Sequence, residues 1–358
     1  MRWVIEGDED SKVKVESSRI KDPLSNPFKK VGGKLYLELN DKDECVFLSD
    51  NKCRIHGELG SSSKPFTCRV FPYSFIQTPE GTYVDLSFAC PAVTANKGPH
   101  VKEDQEIAAL AEEAAARKKM HIATPKYNGK LLDWESYKAV EERILDVFND
   151  TTPMKKRLLT GFILIEEGKN KPNIEEYFKT AKLTEINTEA ERIRPSPGKR
   201  RVILSVVTAF RFKGKNKLAH SITKAATYLK LTQGRQVMVE GVGLIDPDKV
   251  SKVRWAEDGL VDRYFIHNVK YRKTLARGEI QDNYRIMMLA YASIEWYSKV
   301  FASVAGRGSV EKGDVEKAIN AVDRTFFAYA KMLDTEGISP LLKHFLNSPD
   351  YAGAMLVD

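Results

Sequence analysis

QDNYRIMMLAYASIEWYSKVFASVA, residues 281–305, repeats apolar side chains at intervals of three and four, and its reading decides the fold class. A strand would alternate in twos; this pattern wraps an apolar face around about seven helical turns. The neighbouring segments obey the same rule: ILSVVTAF (203–210), KLAHSITKAATYLKL (217–231), DRYFIHNVKYRKTL (262–275) and VEKGDVEKAINAVDRTFFAYAKMLD (310–334). Their aromatic side chains, Tyr264, Phe265, Tyr271, Tyr284, Tyr291, Trp296 and Tyr297, are expected in the core, the alternative being a peptide-binding groove. Further back, WESYKAVEERILDVFND (134–150) puts Trp134, Tyr137, Val140, Ile144, Val147 and Phe148 on one helical face, and Leu158 to Ile165 adds an apolar segment after Pro153. EDQEIAALAEEAAARKKM (103–120) is a strong helix former, acidic at its start and basic at its end, as the helix dipole favours.

The first hundred residues have another character. Short extended runs, KLYLELN (34–40) and TYVDLSF (82–88), alternate with Asp, Asn, Gly, Ser and Pro clusters. The expected fold is therefore mainly α, with a small irregular α+β cysteine-rich domain at the N-terminal end. Three regions are expected: a metal-binding domain over 1–100, a helical segment over 101–185 packed on it, and a C-terminal helical domain over 200–358. The run IRPSPGKRR suggests a linker at about 185–200 between the last two.

The 358 residues suffice for a substantial core and two domains. A net charge of +8 is modest, since 57 basic residues face 49 acidic ones. The excess is densest over Arg192 to Lys217, which is read as a solvated linker in preference to a nucleic-acid patch, no RNA or DNA module surrounding it. The first residues carry no apolar run of signal-peptide length, and no stretch approaches a membrane span. A cytoplasmic location without membrane association is expected.

All four cysteines fall in one window of the chain, as Cys45-x7-Cys53-x14-Cys68-x21-Cys90. Disulfides and a metal are the competing causes. A long chain with ample core neither needs disulfides nor would readily keep them in a reducing compartment, so a metal is favoured. Four thiolates satisfy a tetrahedral zinc ion and equally an iron-sulfur cluster, and ligand count does not choose between them. Lys52, Arg54 and Arg69 adjoin the cysteines and would favour their ionised form. His56 is a candidate substitute ligand, read first as a surface or outer-layer imidazole because four sulfurs already complete the site.

The words around these cysteines, CVFLSDNKCRIH, PFTCRVFPY and ACPAV, resemble the cysteine-cluster family described as zinc- or iron-chelate domains. Cys45 with Phe47 and Leu48 matches its C-x-F-L element, and Cys53 with Ile55 and His56 its C-x-I-Y/H element. Pro65, Cys68, Arg69, Phe71 and Pro72 match R-P-x-x-C-R-x-F-P, and Cys90 with Pro91 matches C-P-G, with Ala92 in place of glycine. Within that family, KCRIHGELGSSSKPFTCRVFPYSF is most similar to the flagellin lysine N-methylases, and DRYFIHNVKYRKTL resembles their C-terminal half more loosely. The resemblance implies methyl transfer from S-adenosylmethionine to exposed lysines of a protein substrate. The family's earlier Cys-x2-Cys and Cys-Cys elements have no counterpart here. MRWVI (1–5) looks like the stretch that follows the Cys-Cys pair, which suggests either a start assigned too late or a real loss.

Such a reaction needs a neutral lysine amine and an in-line approach to the methyl group. Tyr73, Tyr83 and Asp85 lie near the cysteines in sequence, but each reads first as a core or strand residue, and no catalytic base is assigned. VEGVGL (239–244) lacks the third glycine of a nucleotide loop, runs into IDPDK, and is read as an ordinary loop without a following helix. No Ser/His/Asp order, phosphate loop or His-Glu-x-x-His helix occurs. Two functions remain open: a lysine N-methyltransferase, or a non-catalytic module that handles metal or docks a partner protein. RNA association through Arg192 to Lys217 is a third and weaker one.

Overall fold

The computed structural model describes residues 5–18, 20, 26–41, 44–98, 100, 101, 106–209, 226–239, 242–334 and 351–357. It is mainly helical with a few small sheets. Two compact units divide the chain, Met1–Ser74 and Phe75–Asp358. The division thus falls earlier than the expected boundary near residue 100, and regions 101–185 and 200–358 share one unit. The reason is a single apolar core that collects side chains from Phe88 through to Leu356.

In the first unit the hairpin Phe28–Val31 with Lys34–Leu37 turns through Gly32 and Gly33, both at positive φ. Phe28, Leu35, Leu37, Val46, Phe47 and Ile55 form its small core, with Val15 from the helix Glu9–Glu16. Asp8 caps that helix by accepting from Ser11 N at 2.9 Å, and its second oxygen accepts from Phe66 N at 2.8 Å. One carboxylate therefore ties the first helix to the short helix Phe66–Val70.

The second unit opens with the three-stranded sheet Gly81–Leu86, Tyr73–Thr78 and His121–Ile122, the last pair parallel. Against the helix Ile280–Val304 pack Met154–Gly168, Pro197–Ala209, Pro247–Ser251, Lys312–Asp334 and Tyr351–Leu356. Ile280–Val304 buries side chains on every face, among them Tyr284, Met287, Tyr291 and Ile294, so it is the core of the unit, not a surface helix. Gly306, at φ +74°, ends it: Gly306 N donates to Ser303 O and Arg307 N to Ala302 O, the paired bonds of a Schellman turn. The chain then returns as Lys312–Asp334, which packs along it. Trp134–Phe148 buries the expected Tyr137, Val140, Ile144, Val147 and Phe148, with Trp134 partly buried. Of the seven aromatic residues named above, five are buried, Trp296 is partly buried and Tyr271 is exposed. The five buried rings belong to the core.

The stretch read as a linker is largely structured. Leu183–Arg192 and Pro197–Ala209 are helices, separated by residues 193–196. Arg200, from the basic run, bonds Glu295 at 2.7 Å and Met355 O at 3.1 Å, while Ile203 and Leu204 are buried, so residues 197–205 pack into the unit and are not a solvated tether. Residues 210–217 of that run, residues 217–225 of the next expected helix, and Met1 to Val4 lie outside the described residues. VEGVGL starts at the end of strand Val237–Val239 and finishes in its antiparallel partner Gly243–Ile245, with residues 240 and 241 outside the described ones, and contrary to expectation a helix follows. Asp246 caps Pro247–Ser251 by accepting from Asp248 N and Lys249 N. No helix among the described residues is long and apolar enough to cross a membrane.

Candidate functional site

Three of the four cysteines belong to the first unit. A hairpin of only two residues per strand pairs Leu48 with Cys53, and its turn residues Asp50 and Asn51 both sit at positive φ, the conformation a two-residue type I′ turn requires. Cys45 precedes this hairpin and Cys53 ends it. Both side chains pack at the edge of the apolar core, beside buried Phe47 and Ile55. Cys68 rides on Phe66–Val70, the helix that Asp8 ties down.

Electrostatics links Cys68 to the other two. Burial pushes the Cys68 thiol up to about 12, and the nearby Cys45, Cys53 and Asp8 push the same way while Lys64 opposes them. A half-buried thiol near two others resists ionisation, and a cation beside it opposes that preference. Lys64 is the cation that opposes them at Cys68. Arg54 pairs with Glu58 at 3.0 Å, and Arg69 donates to Lys64 O at 3.3 Å and lies over the Phe66 ring. His56 is exposed.

Cys90 lies in the second unit, at the N-cap of the short helix Pro91–Thr94. A buried charge network holds the chain leading to it. Arg272 is fully buried; its Nε donates to both oxygens of Asp85 at 3.0 and 3.1 Å, and its Nη1 to Asp323 at 2.5 Å. Asp323 also accepts from Ser87 Oγ and Ala89 N, each at 3.0 Å, directly before Cys90. Burial alone would raise the Asp85 carboxyl, but Arg272 and His267 outweigh it and hold the carboxyl well below the usual range. Beside this lies a second buried pair: Lys273 Nζ meets Glu141 at 2.6 Å and sits 4.0 Å from the centroid of the Tyr83 ring, and Tyr137 Oη donates to Glu141 at 2.6 Å. Burial raises the Glu141 carboxyl against the pull of Lys273.

No family model matches the chain. A stretch of 49 residues, 14% of the chain, is 45% identical to an uncharacterized protein of Methanocaldococcus jannaschii. The match spans 17% of that relative's length. No solved structure matches.

The donor chemistry of Cys45, Cys53 and Cys68 suits a thiophilic metal, and Cys45 and Cys53 both act on the Cys68 thiol. Among the described residues, however, no three His, Cys, Asp or Glu side chains stand as a ready-made ligand group. Asp8 and Lys64, which flank the trio, escaped sequence reading because Asp8 lies 58 positions from the backbone amide it accepts from. Asp85 and Tyr83 are structural partners in buried pairs, as their strand positions suggested.

Proposed function

We propose that the protein is a cysteine-thiolate metal protein, with Cys45, Cys53 and Cys68 as ligands of a zinc ion or an iron-sulfur cluster. The supporting observation is that Cys45 and Cys53 pack against the first unit's core and both act on the Cys68 thiol. The hairpin turn at Asp50 and Asn51 orients Cys45 and Cys53, and Asp8 fixes the helix bearing Cys68. A metal at this place would stabilise the thiolates and, as zinc or as a cluster, supply structural cross-linking or electron transfer respectively. Three sulfurs leave a tetrahedral centre one ligand short.

The activity we propose on the cysteine-block resemblance is methyl transfer from S-adenosylmethionine to lysines of a protein partner. A second reading, a metal-stabilised module without catalysis, draws on the charge network: Asp85, Arg272, Lys273 and Glu141 are committed to buried pairs and are not poised to take a proton from a substrate. Incubation of the full chain with radiolabelled donor and lysine-rich acceptor proteins separates the two. Label in the acceptor supports transfer; no label together with no donor binding by calorimetry leaves the module.

A further inference from the structure

The second unit contains a cavity of about 450 Å³ that neither the metal reading nor the charge network uses, a volume in the range of small-molecule sites. The walls come from the end of Trp134–Phe148, the start of Met154–Gly168, the helix Leu183–Arg192 and the segment around Leu356. Buried Val147, Leu159, Ala190 and Leu356 make the interior apolar.

The helix Leu183–Arg192 gives the cavity a direction. Leu183, Asn187 and Ala190 line it from positions i, i+4 and i+7, so they follow one stripe of that helix over about 10 Å. Hydrogen-bond donors gather at the Leu183 end. Lys182 supplies no side-chain cap, and among the described residues neither Leu183 N nor Thr184 N has an acceptor. One turn on, Asn187 Oδ1 accepts from the Thr160 hydroxyl at 2.7 Å, which leaves the Nδ2 hydrogens to donate. At Ala190 and Leu356 the stripe ends on apolar wall.

Charge at the donor end is balanced. Arg143 donates to Ala181 O, just before the helix, and pairs with Asp146 on the rim at 3.7 Å. Arg157, the one buried charged side chain among the described lining residues, is committed to Asp262 and to Phe148 O. Asp150, Lys156 and Glu191 are exposed on the rim. A charged ligand entering the apolar interior would lose hydration without gaining a buried partner of opposite sign. A carbonyl oxygen, by contrast, supplies the acceptor that the start of the helix lacks.

We propose that this cavity binds an uncharged, largely apolar small molecule with one carbonyl acceptor, of the ketone, ester or amide class. The carbonyl oxygen accepts at the start of Leu183–Arg192 and from Asn187 Nδ2, and the apolar body rests on Val147, Leu159, Ala190 and Leu356. The site is independent of the metal reading and stands or falls separately from it.

The test is fluorescence titration of the full chain with the neutral ketone 6-propionyl-2-dimethylaminonaphthalene, against 6-dimethylamino-2-naphthoate and 2-dimethylaminonaphthalene. Saturable 1:1 binding of the ketone with blue-shifted emission is expected, and at least tenfold weaker binding of the other two, which carry a carboxylate or no carbonyl. Asn187→Leu, on an exposed side chain, should weaken the ketone about tenfold and leave 2-dimethylaminonaphthalene unchanged. Ala190→Trp, verified as folded by circular dichroism, should abolish binding. Absence of saturable ketone binding, equal binding of the carboxylate or of the carbonyl-free compound, unchanged ketone binding by Asn187→Leu, or full binding by folded Ala190→Trp would each overturn the proposal.

Discussion

Replacing Arg272 by Met removes the cation that two buried carboxylates share. Asp85 and Asp323 are each less than 2% exposed as residues, and each bonds the guanidinium directly. Removing one partner from a buried ion pair costs about 3–5 kcal/mol, because an uncompensated charge stays behind. At 2–4 °C per kcal/mol for domains of this general size, the second unit should melt about 6–20 °C lower at pH 7. The sign of the pH dependence follows from Asp85. In the native protein its carboxyl is held low, so its contribution is fully present above the unfolded value near 4 and is lost only as pH falls below it. Without Arg272, burial raises the carboxyl, so the variant loses stability as pH rises from about 4 upward through the raised value. The deficit should therefore be largest at pH 7 and shrink toward pH 4, measured by urea unfolding followed by circular dichroism. Because Asp323 also holds Ser87 and Ala89, hydrogen exchange at residues 86–90 should rise in the same variant. Adding Asp85→Asn and Asp323→Asn should return a large part of the loss. A deficit under about 1 kcal/mol, or one that does not change with pH, would refute the reasoning.

Three further outcomes follow from named contacts. Lys273→Met strands Glu141 and should cost about 3–5 kcal/mol by urea unfolding, with recovery on adding Glu141→Gln, which keeps an acceptor for Tyr137. Gly161→Ala drives a methyl group into the Tyr284 ring and hydroxyl, which donates to Leu158 O at 3.0 Å; a loss of about 1–3 kcal/mol is expected. Tyr284→Phe should offset part of that loss, so the double variant is better than additive. Asp8→Ala removes a helix cap and the bond to Phe66 N, and should cost about 1–2 kcal/mol, seen as faster hydrogen exchange over Glu9–Glu16 and at residue 66.

Periodicity alone located the helices that carry the fold. Trp134–Phe148 and Ile280–Val304 were readable because apolar spacing is a local property, and the Phe28–Val31 hairpin partner at Lys34–Leu37 was readable from KLYLELN. The division at Ser74 was not, because it depends on which core each segment joins; Phe88 lies in the expected cysteine-rich region yet packs with Tyr264 and the helices. Arg200 likewise looked like part of a solvated basic run until Glu295, nearly a hundred residues away, proved to be its partner. The same blindness hid the pairing of Asp85 with Arg272 and of Lys273 with Glu141, where both partners look like ordinary surface charges in sequence. The cysteine window was visible from spacing, but the split of Cys45, Cys53 and Cys68 from Cys90 between units, and the roles of Asp8 and Lys64, required three dimensions.

The central claim is tested most directly by anaerobic purification of the full chain, with metal and acid-labile sulfide determined per chain beside the Cys45→Ala, Cys53→Ala and Cys68→Ala variants. The account predicts stoichiometric zinc without sulfide, or iron with sulfide and visible absorbance, lost in each of the three variants. A folded chain free of zinc and iron, with the three thiols all open to a thiol reagent after unfolding, would contradict it.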